Sequence, residues 1–129
     1  MSDFSDALSL SSSGLRAQTQ RLRHVAENIA NTDTPGYRRK SVSFDTAMTG
    51  DTPGTVEAGR VRLDRSDLVQ IFDPGHPMAN ESGHYDGSNV NLVIEIADAR
   101  EAQRSYEANL KMFDQARQMS SSLMDLLRR

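Results

Sequence analysis

The stretch VNLVIEIADAREAQRSYEANLKMFDQARQMSSSLMDLLRR, residues 90–129, has neither glycine nor proline. It predicts one continuous helix around which the rest of the chain is arranged. At about 1.5 Å per residue that helix is roughly 60 Å long, more than the diameter of a compact domain of this size. Apolar residues recur at Leu92, Ile96, Ala99, Tyr106, Leu110, Phe113, Met124 and Leu127, at spacings built mainly from three and four. This is a narrow seam made to face another helix. Gln103, Arg117 and Ser120 interrupt it, and Ala116, Met119 and Leu123 offer a shifted stripe, so the far end is expected to rotate or change partner.

A second helix is expected at the other end. Ser2 can cap it, and there is no proline from Asp3 to Ala30. Leu8, Leu15, Leu22 and Ile29 recur in heptads, with Phe4, Val25 and Ala26 beside them. Ser11, Ser12, Ser13 and Gly14 are poor helix formers, Gly by about 1 kcal/mol relative to Ala, so the first turns are expected to need a partner to order them. The helix must stop near Asn31, where Asn31-Thr32-Asp33-Thr34-Pro35-Gly36 gathers turn formers. Pro35-Gly36 suits a type II turn that reverses the chain, and Tyr37 then packs back on the helix end. Arg38, Arg39 and Lys40 follow as a short basic run, read as a solvated loop or a protein contact.

Between Ser41 and Ser88 the periodicity shortens. Val42 and Phe44, then Val56, Val61 and Leu63, then Leu68, Val69, Ile71 and Phe72 read as short strands separated by glycine- and proline-rich turns. Thr49 to Gly59 reads as a loop. The fold class is therefore mainly α with a small β module: long N- and C-terminal helices forming a coiled-coil-like pair, with short β-hairpins and loops between. The expected organisation is a helix over 1–31, a turn and β-rich module over 32–89, and a helix over 90–129.

Composition agrees. The chain has 129 residues, 36% hydrophobic and 5% aromatic, with no Trp. Globular domains usually hold roughly 45–50% apolar residues, so a large self-contained core is not expected. A net charge of −3 with 26% charged residues provides no dominating positive field for nucleic acid. The absence of cysteine excludes disulfides and thiolate chemistry. Residues 1–13 lack the basic flank and apolar run of a secretory signal, and no stretch approaches ~18 apolar residues, so neither general secretion nor membrane insertion is expected.

Catalytic chemistry finds little support. His76 and His84, with Asp73 or Asp86, match no metal-binding spacing, and no nucleophile-elbow or phosphate-binding glycine motif occurs. No cofactor and no metal are expected. Glu95, Asp98 and Glu101 lie at helical spacing, but Arg100 and Arg104 beside them favour a solvated charged face. Two long seams around so small a middle can bury little within one monomer, and the expected role is assembly with neighbouring subunits. The alternatives are a cytosolic coiled-coil adaptor or scaffold and, from another class, a small hydrolase using the His76/His84 loop.

The residues Asn28-Ile-Ala-Asn-Thr-Asp-Thr-Pro-Gly-Tyr37-Arg38 resemble the N-terminal signature of bacterial flagellar rod and hook proteins. Asp73-Pro-Gly-His-Pro-Met-Ala-Asn80, Gly83 and Asn89-Val90-Asn91 narrow the resemblance to the proximal-rod branch, and Arg104-Ser-Tyr-Glu-Ala-Asn-Leu110 extends it into the last helix. Asp86-Gly87-Ser88 departs from the branch's usual Met-Pro pair.

The resemblance implies a structural subunit without turnover, exported through the flagellar type III apparatus with no cleaved signal peptide. Its terminal helices would pack into a hollow rod that crosses the periplasm within the basal body and transmits torque to the hook. Implied partners are other copies of the chain, proximal and distal rod proteins, the inner-membrane ring with its rod adaptor, and the export apparatus. By the same resemblance Asn28, Ala30, Asn31, Gly36, Tyr37 and Arg38 would secure the return of the chain, while Tyr106, Ala108 and Asn109 would face helix partners.

Overall fold

The computed structural model describes residues 2–48 and 52–128. Two helices dominate it, α1 (Ser2–Ala30) and α2 (Leu92–Leu127), packed antiparallel along their length. α1 runs unbroken through Ser11–Gly14, against the expectation that these residues weaken it. The reason is tertiary: Ser11, Ser13 and Gly14 are buried, on the side where α2 and the β module pack. Ser13 Oγ donates to Leu10 O at 2.7 Å and accepts the Val56 N–H at 3.0 Å, so a poor helix former becomes a tie to the next element. α2 starts two residues later than expected, because Asn91 is its N-cap and its carboxamide oxygen accepts the Val93 N–H at 3.0 Å.

Two hairpins lie between the helices in the chain. β1 (Lys40–Thr46) pairs antiparallel with β2 (Val56–Leu63), and β3 (Gln70–Phe72) with β4 (His84–Asp86). Residues 56–59, read as loop, are strand, and the expected strand around Val56, Val61 and Leu63 is continuous. Thr49–Asp51 lie outside the described residues. Leu68 and Val69 precede β3 rather than forming it. β4 was not legible because His84-Tyr85-Asp86 is too short and polar to show a period. Gly59 and Arg60 together oppose Ser43, a bulge on β2 at which a Cβ on Gly59 would come within 2.7 Å of Asp45 Oδ2.

The first hairpin lies along α1. Lys40 meets Asn28 and Val56 meets Ser13. The fifteen residue-to-residue steps from Ser13 to Asn28 rise about 22 Å, the length of a seven-residue strand.

The core is small. Its buried hydrophobic residues among those described are Ala17, Val25, Ala102 and Ala116. On α2 the residues facing α1 follow a strict four-three alternation, Glu95, Ala99, Ala102, Tyr106, Asn109, Phe113, Ala116, Ser120 and Leu123, all buried or half-buried. Small and polar residues thus close the pair at short range. Ser120, read as an interruption, belongs to this seam, whereas Gln103 and Arg117 face solvent. Gly14 sits against Asn109: a Cβ there would lie 2.8 Å from the carboxamide. Among the described residues no helix is long and apolar enough to cross a membrane.

Candidate assembly interface and its clasp

At the end of α1 the sequence Asn28-Ile-Ala-Asn must close a helix and pass the chain back to a strand. Asn28 does both. Its carboxamide is 1% exposed and uses all four of its hydrogen-bonding sites. The oxygen accepts the Lys40 N–H at 2.9 Å and the Tyr37 hydroxyl at 2.8 Å. The nitrogen donates to Lys40 O at 2.8 Å and to Glu95 Oε2 at 3.2 Å. Asn31 closes the helix by donating to Glu27 O at 2.8 Å. Gly36 takes φ +74°, and the Tyr37 N–H bonds to Thr34 O at 3.2 Å, the geometry of the type II turn.

The basic run faces inward. The Arg39 guanidinium bonds to Glu95 Oε1 and, at 2.6 Å, to Asp98 Oδ2. Glu95 is fully buried. Both observations correct the expectation of a solvated acidic face and a solvated basic loop. Arg21 adds to the cluster at 3.5 Å from Asp98 and 3.4 Å from Glu101. Arg38 donates to Asp64 O and Ser66 O, and Lys40 Nζ lies 3.0 Å from Glu27 Oε2. That Lys40 bond holds the Glu27 carboxyl below its ordinary 4.5 and raises the Lys40 ammonium above 10.5. Burial opposes the Arg39 charge, but the bond and charge of Glu95 with the charge of Asp98 raise its pKa regardless. Burial raises the Tyr37 phenol above 10.0.

The segment after β4 completes the clasp. The Asn89 carboxamide accepts the Arg39 N–H at 2.6 Å and donates to Asp64 O and Ser66 O. Ser88 Oγ donates to Thr32 O, and the Gly36 N–H is shared between Asp86 O and Gly87 O. Arg39, Glu95 and Asn89 were missed as a group because they are distant in sequence. A buried acid at the first turn of an otherwise amphipathic helix is a signal only once the partner is known.

In the other loop His76 stacks on Tyr85 with ring centroids 3.8 Å apart, and His84 lies 5.0 Å from Phe72. Tyr85 and His84 project from opposite faces of β4, which keeps the two imidazoles apart. No group of three metal-ligating side chains occurs among the described residues. His24 is half-buried, its Nδ1 3.9 Å from Glu27 Oε2.

The large apolar residues lie mostly elsewhere. Leu92, Ile96 and Leu110 are 45%, 47% and 41% exposed, and so do not form the seam that the sequence suggested within the monomer. Seven-residue and three-four stripes specify a face but not its partner, and the small-residue stripe beside each has won the intramolecular contact. On α1, Leu8, Leu15 and Leu22 are half-buried on the flank of that contact and Ile29 is exposed. An open groove there is lined by Leu8, Leu15, Arg16, Val56, Tyr106 and Phe113 among others. Tyr106, Asn109 and Phe113 are half-buried against α1, while Ala30 and Ala108 are exposed. On the antiparallel register set by Asn28–Glu95 and Gly14–Asn109, Asp3 lies level with Ser120. The stretch carrying Met124, Leu126 and Leu127 therefore runs past the start of α1, uncovered.

Comparison with known proteins bears on what covers these faces. Residues 8–38 match the family model described as flagella basal body rod protein, and residues 81–126 match flagellar basal body rod FlgEFG protein C-terminal. The flagellar basal-body rod protein FlgC of Agrobacterium fabrum is 45% identical over 99% of this chain and 98% of its own length. Those of Salmonella typhimurium and Bacillus subtilis are 31% and 30% identical, over 91% and 93% of this chain and 92% and 95% of their own lengths.

Proposed function

The chain belongs to the family of flagellar basal-body rod proteins FlgC, and from that premise we propose that it polymerises through α1 and α2 into the proximal part of the rod. It is a structural rod subunit of the flagellar basal body. In the finer reading it crosses the periplasm, carries torque from the motor to the hook and performs no turnover. It reaches that place through the flagellar export apparatus without a cleaved signal, and it meets other rod proteins, the inner-membrane ring and the rod adaptor.

The observation that carries this reading is the inversion of ordinary burial. Among the described residues three alanines and one valine form the buried apolar core, while Leu10 and Ile29 on α1 and leucines, isoleucines and methionines on α2 stay open. Burying one such side chain is worth about 1.5–3 kcal/mol, so a ring of neighbours on Leu8, Leu15, Leu22 and Ile29, and on Leu92, Ile96 and Leu110, supplies the stability the monomer lacks. The clasp of Asn28, Asn31, Gly36, Tyr37 and Arg38 sets the angle at which the two faces are presented. Deletion of the gene tests the role: basal bodies should end at the inner-membrane ring and swimming should be lost. Normal swimming would contradict it. Ile96→Asp, which leaves the small-residue seam intact, should abolish assembly while the purified chain keeps its helical content.

A further inference from the structure

The far half of β2 is strongly cationic. Arg60, Arg62 and, just past the strand, Arg65 are exposed, and none is in an ion pair among the described residues, whereas Arg21, Arg39 and Lys40 are all matched. Val61 and Leu63, between them, are 42% and 54% exposed. Cations and apolar side chains therefore alternate along one open strand.

The main chain fixes which groups look outward. The Asp64 N–H bonds to Arg39 O at 2.8 Å. Antiparallel pairs alternate between bonded and unbonded, so Ser41–Arg62 is a bonded pair while Lys40–Leu63 and Val42–Val61 are not. Lys40 agrees with this parity: its N–H and C=O turn away from β2 to the Asn28 carboxamide. The corresponding groups of Val61 and Leu63 turn to the open side of β2, with no protein partner among the described residues. Asn28 occupies the β1 side here, so at this end the sheet can grow only at β2.

We propose that this edge accepts, as a third strand, an extended segment of another protein in which acidic and apolar residues alternate. The segment pairs its backbone with Val61 and Leu63, sets carboxylates against Arg60 and Arg62, and lays its apolar residues beside the two aliphatic side chains. Arginine's planar fork suits carboxylates. A polynucleotide would call for a broader positive field than a chain of net charge −3 offers, and a lipid surface for a basic amphipathic helix. The edge lies off the helix faces used for assembly, so it goes beyond the rod reading and fails or stands separately from it.

The test is fluorescence anisotropy of the purified full chain with a labelled peptide of alternating Glu and Val, beside a peptide of the same composition with the residues in two blocks. The alternating peptide should bind and the block peptide should not. Arg60→Glu with Arg62→Glu should weaken binding at least about tenfold, as the loss of two charge-assisted contacts implies. Val61→Pro should weaken it as much with unchanged circular dichroism and melting, because proline is tolerated where a strand N–H faces solvent. Where Val61→Pro alters the melting, Leu63→Pro replaces it. Equal binding of the block peptide, displacement by anionic phosphatidylglycerol vesicles, binding unaffected by either proline, or no binding of the alternating peptide would overturn the proposal. So would self-association of the wild-type chain through this edge, which would make the occupant a second copy. If the arginines only guard an open edge, the double reversal causes aggregation and no peptide binds, and the proposal fails.

Discussion

Asn28 and Lys40 are joined as neighbours in a sheet are joined: the Asn28 side-chain amide gives and takes one hydrogen bond each with the main chain of Lys40, at 2.8 and 2.9 Å. A helix end thereby acts as the strand beside β1. The same carboxamide holds Glu95 at the start of α2, so one residue ties three elements.

Asn28→Ala should therefore cost about 2–4 kcal/mol, because it strands the Lys40 amide and loosens a buried carboxylate. Asn28→Asp should be no better, since it turns an acceptor toward Glu95 Oε2. Urea unfolding of the dilute chain followed by circular dichroism measures both. A loss below about 0.5 kcal/mol would show the clasp to be open in solution.

Gly14 and Asn109 should be coupled. Gly14→Ala gains about 1 kcal/mol of helix propensity but meets the Asn109 side chain, itself held by Ser105 O at 3.0 Å. In the wild-type background the change should be neutral or destabilising. In an Asn109→Ala background it should stabilise by about 1 kcal/mol. A double-mutant cycle reads the difference, and additivity would contradict the contact.

Gly36 has φ +74° with nothing near the site of a Cβ, so its cost on substitution is one of backbone conformation alone. Gly36→Val should lose about 1–3 kcal/mol and Gly36→Asn much less. In cells Gly36→Val should impair rod assembly more than export, read by comparing secreted with assembled protein.

Acid should weaken the fold through Glu27 and Asp64. Both carboxyls are held below their ordinary values, Glu27 chiefly by Lys40 and Asp64 by the Ser66 N–H. Their contribution is complete above the unfolded values of 4.5 and 3.8 and is lost as pH falls through the lower folded ones. Melting temperature should fall across that window, and less steeply in Lys40→Met. At the other extreme Tyr37 and Lys40 titrate above 10.0 and 10.5, so the stability they lend is complete below those values and is lost as pH rises through the higher folded ones. The absorbance of the ionised phenol reports Tyr37, and Tyr37→Phe removes that late step.

The two helices, the turn at Pro35-Gly36 and the small β module between were legible in the sequence, because proline, glycine and long apolar periods act locally. What was not legible depends on pairs distant in the chain. Ser11–Gly14 looked like a weakness in α1 until Asn109 and Val56 were seen packed on it. Arg39 and Glu95 each looked solvated alone. Leu92, Ile96 and Leu110 made the stronger stripe, yet the contact with α1 alternates small and polar residues, among them Ala102, Asn109 and Ala116, with Tyr106 and Phe113.

Ile96 is where a rod packed through outward helix faces is tested most directly. The chain has no cysteine of its own, so Ile96→Cys can be labelled alone. Maleimide should react with it readily in the purified chain, where Ile96 is 47% exposed, and slowly in isolated basal bodies. Equal reactivity in both would contradict an assembly built on this face.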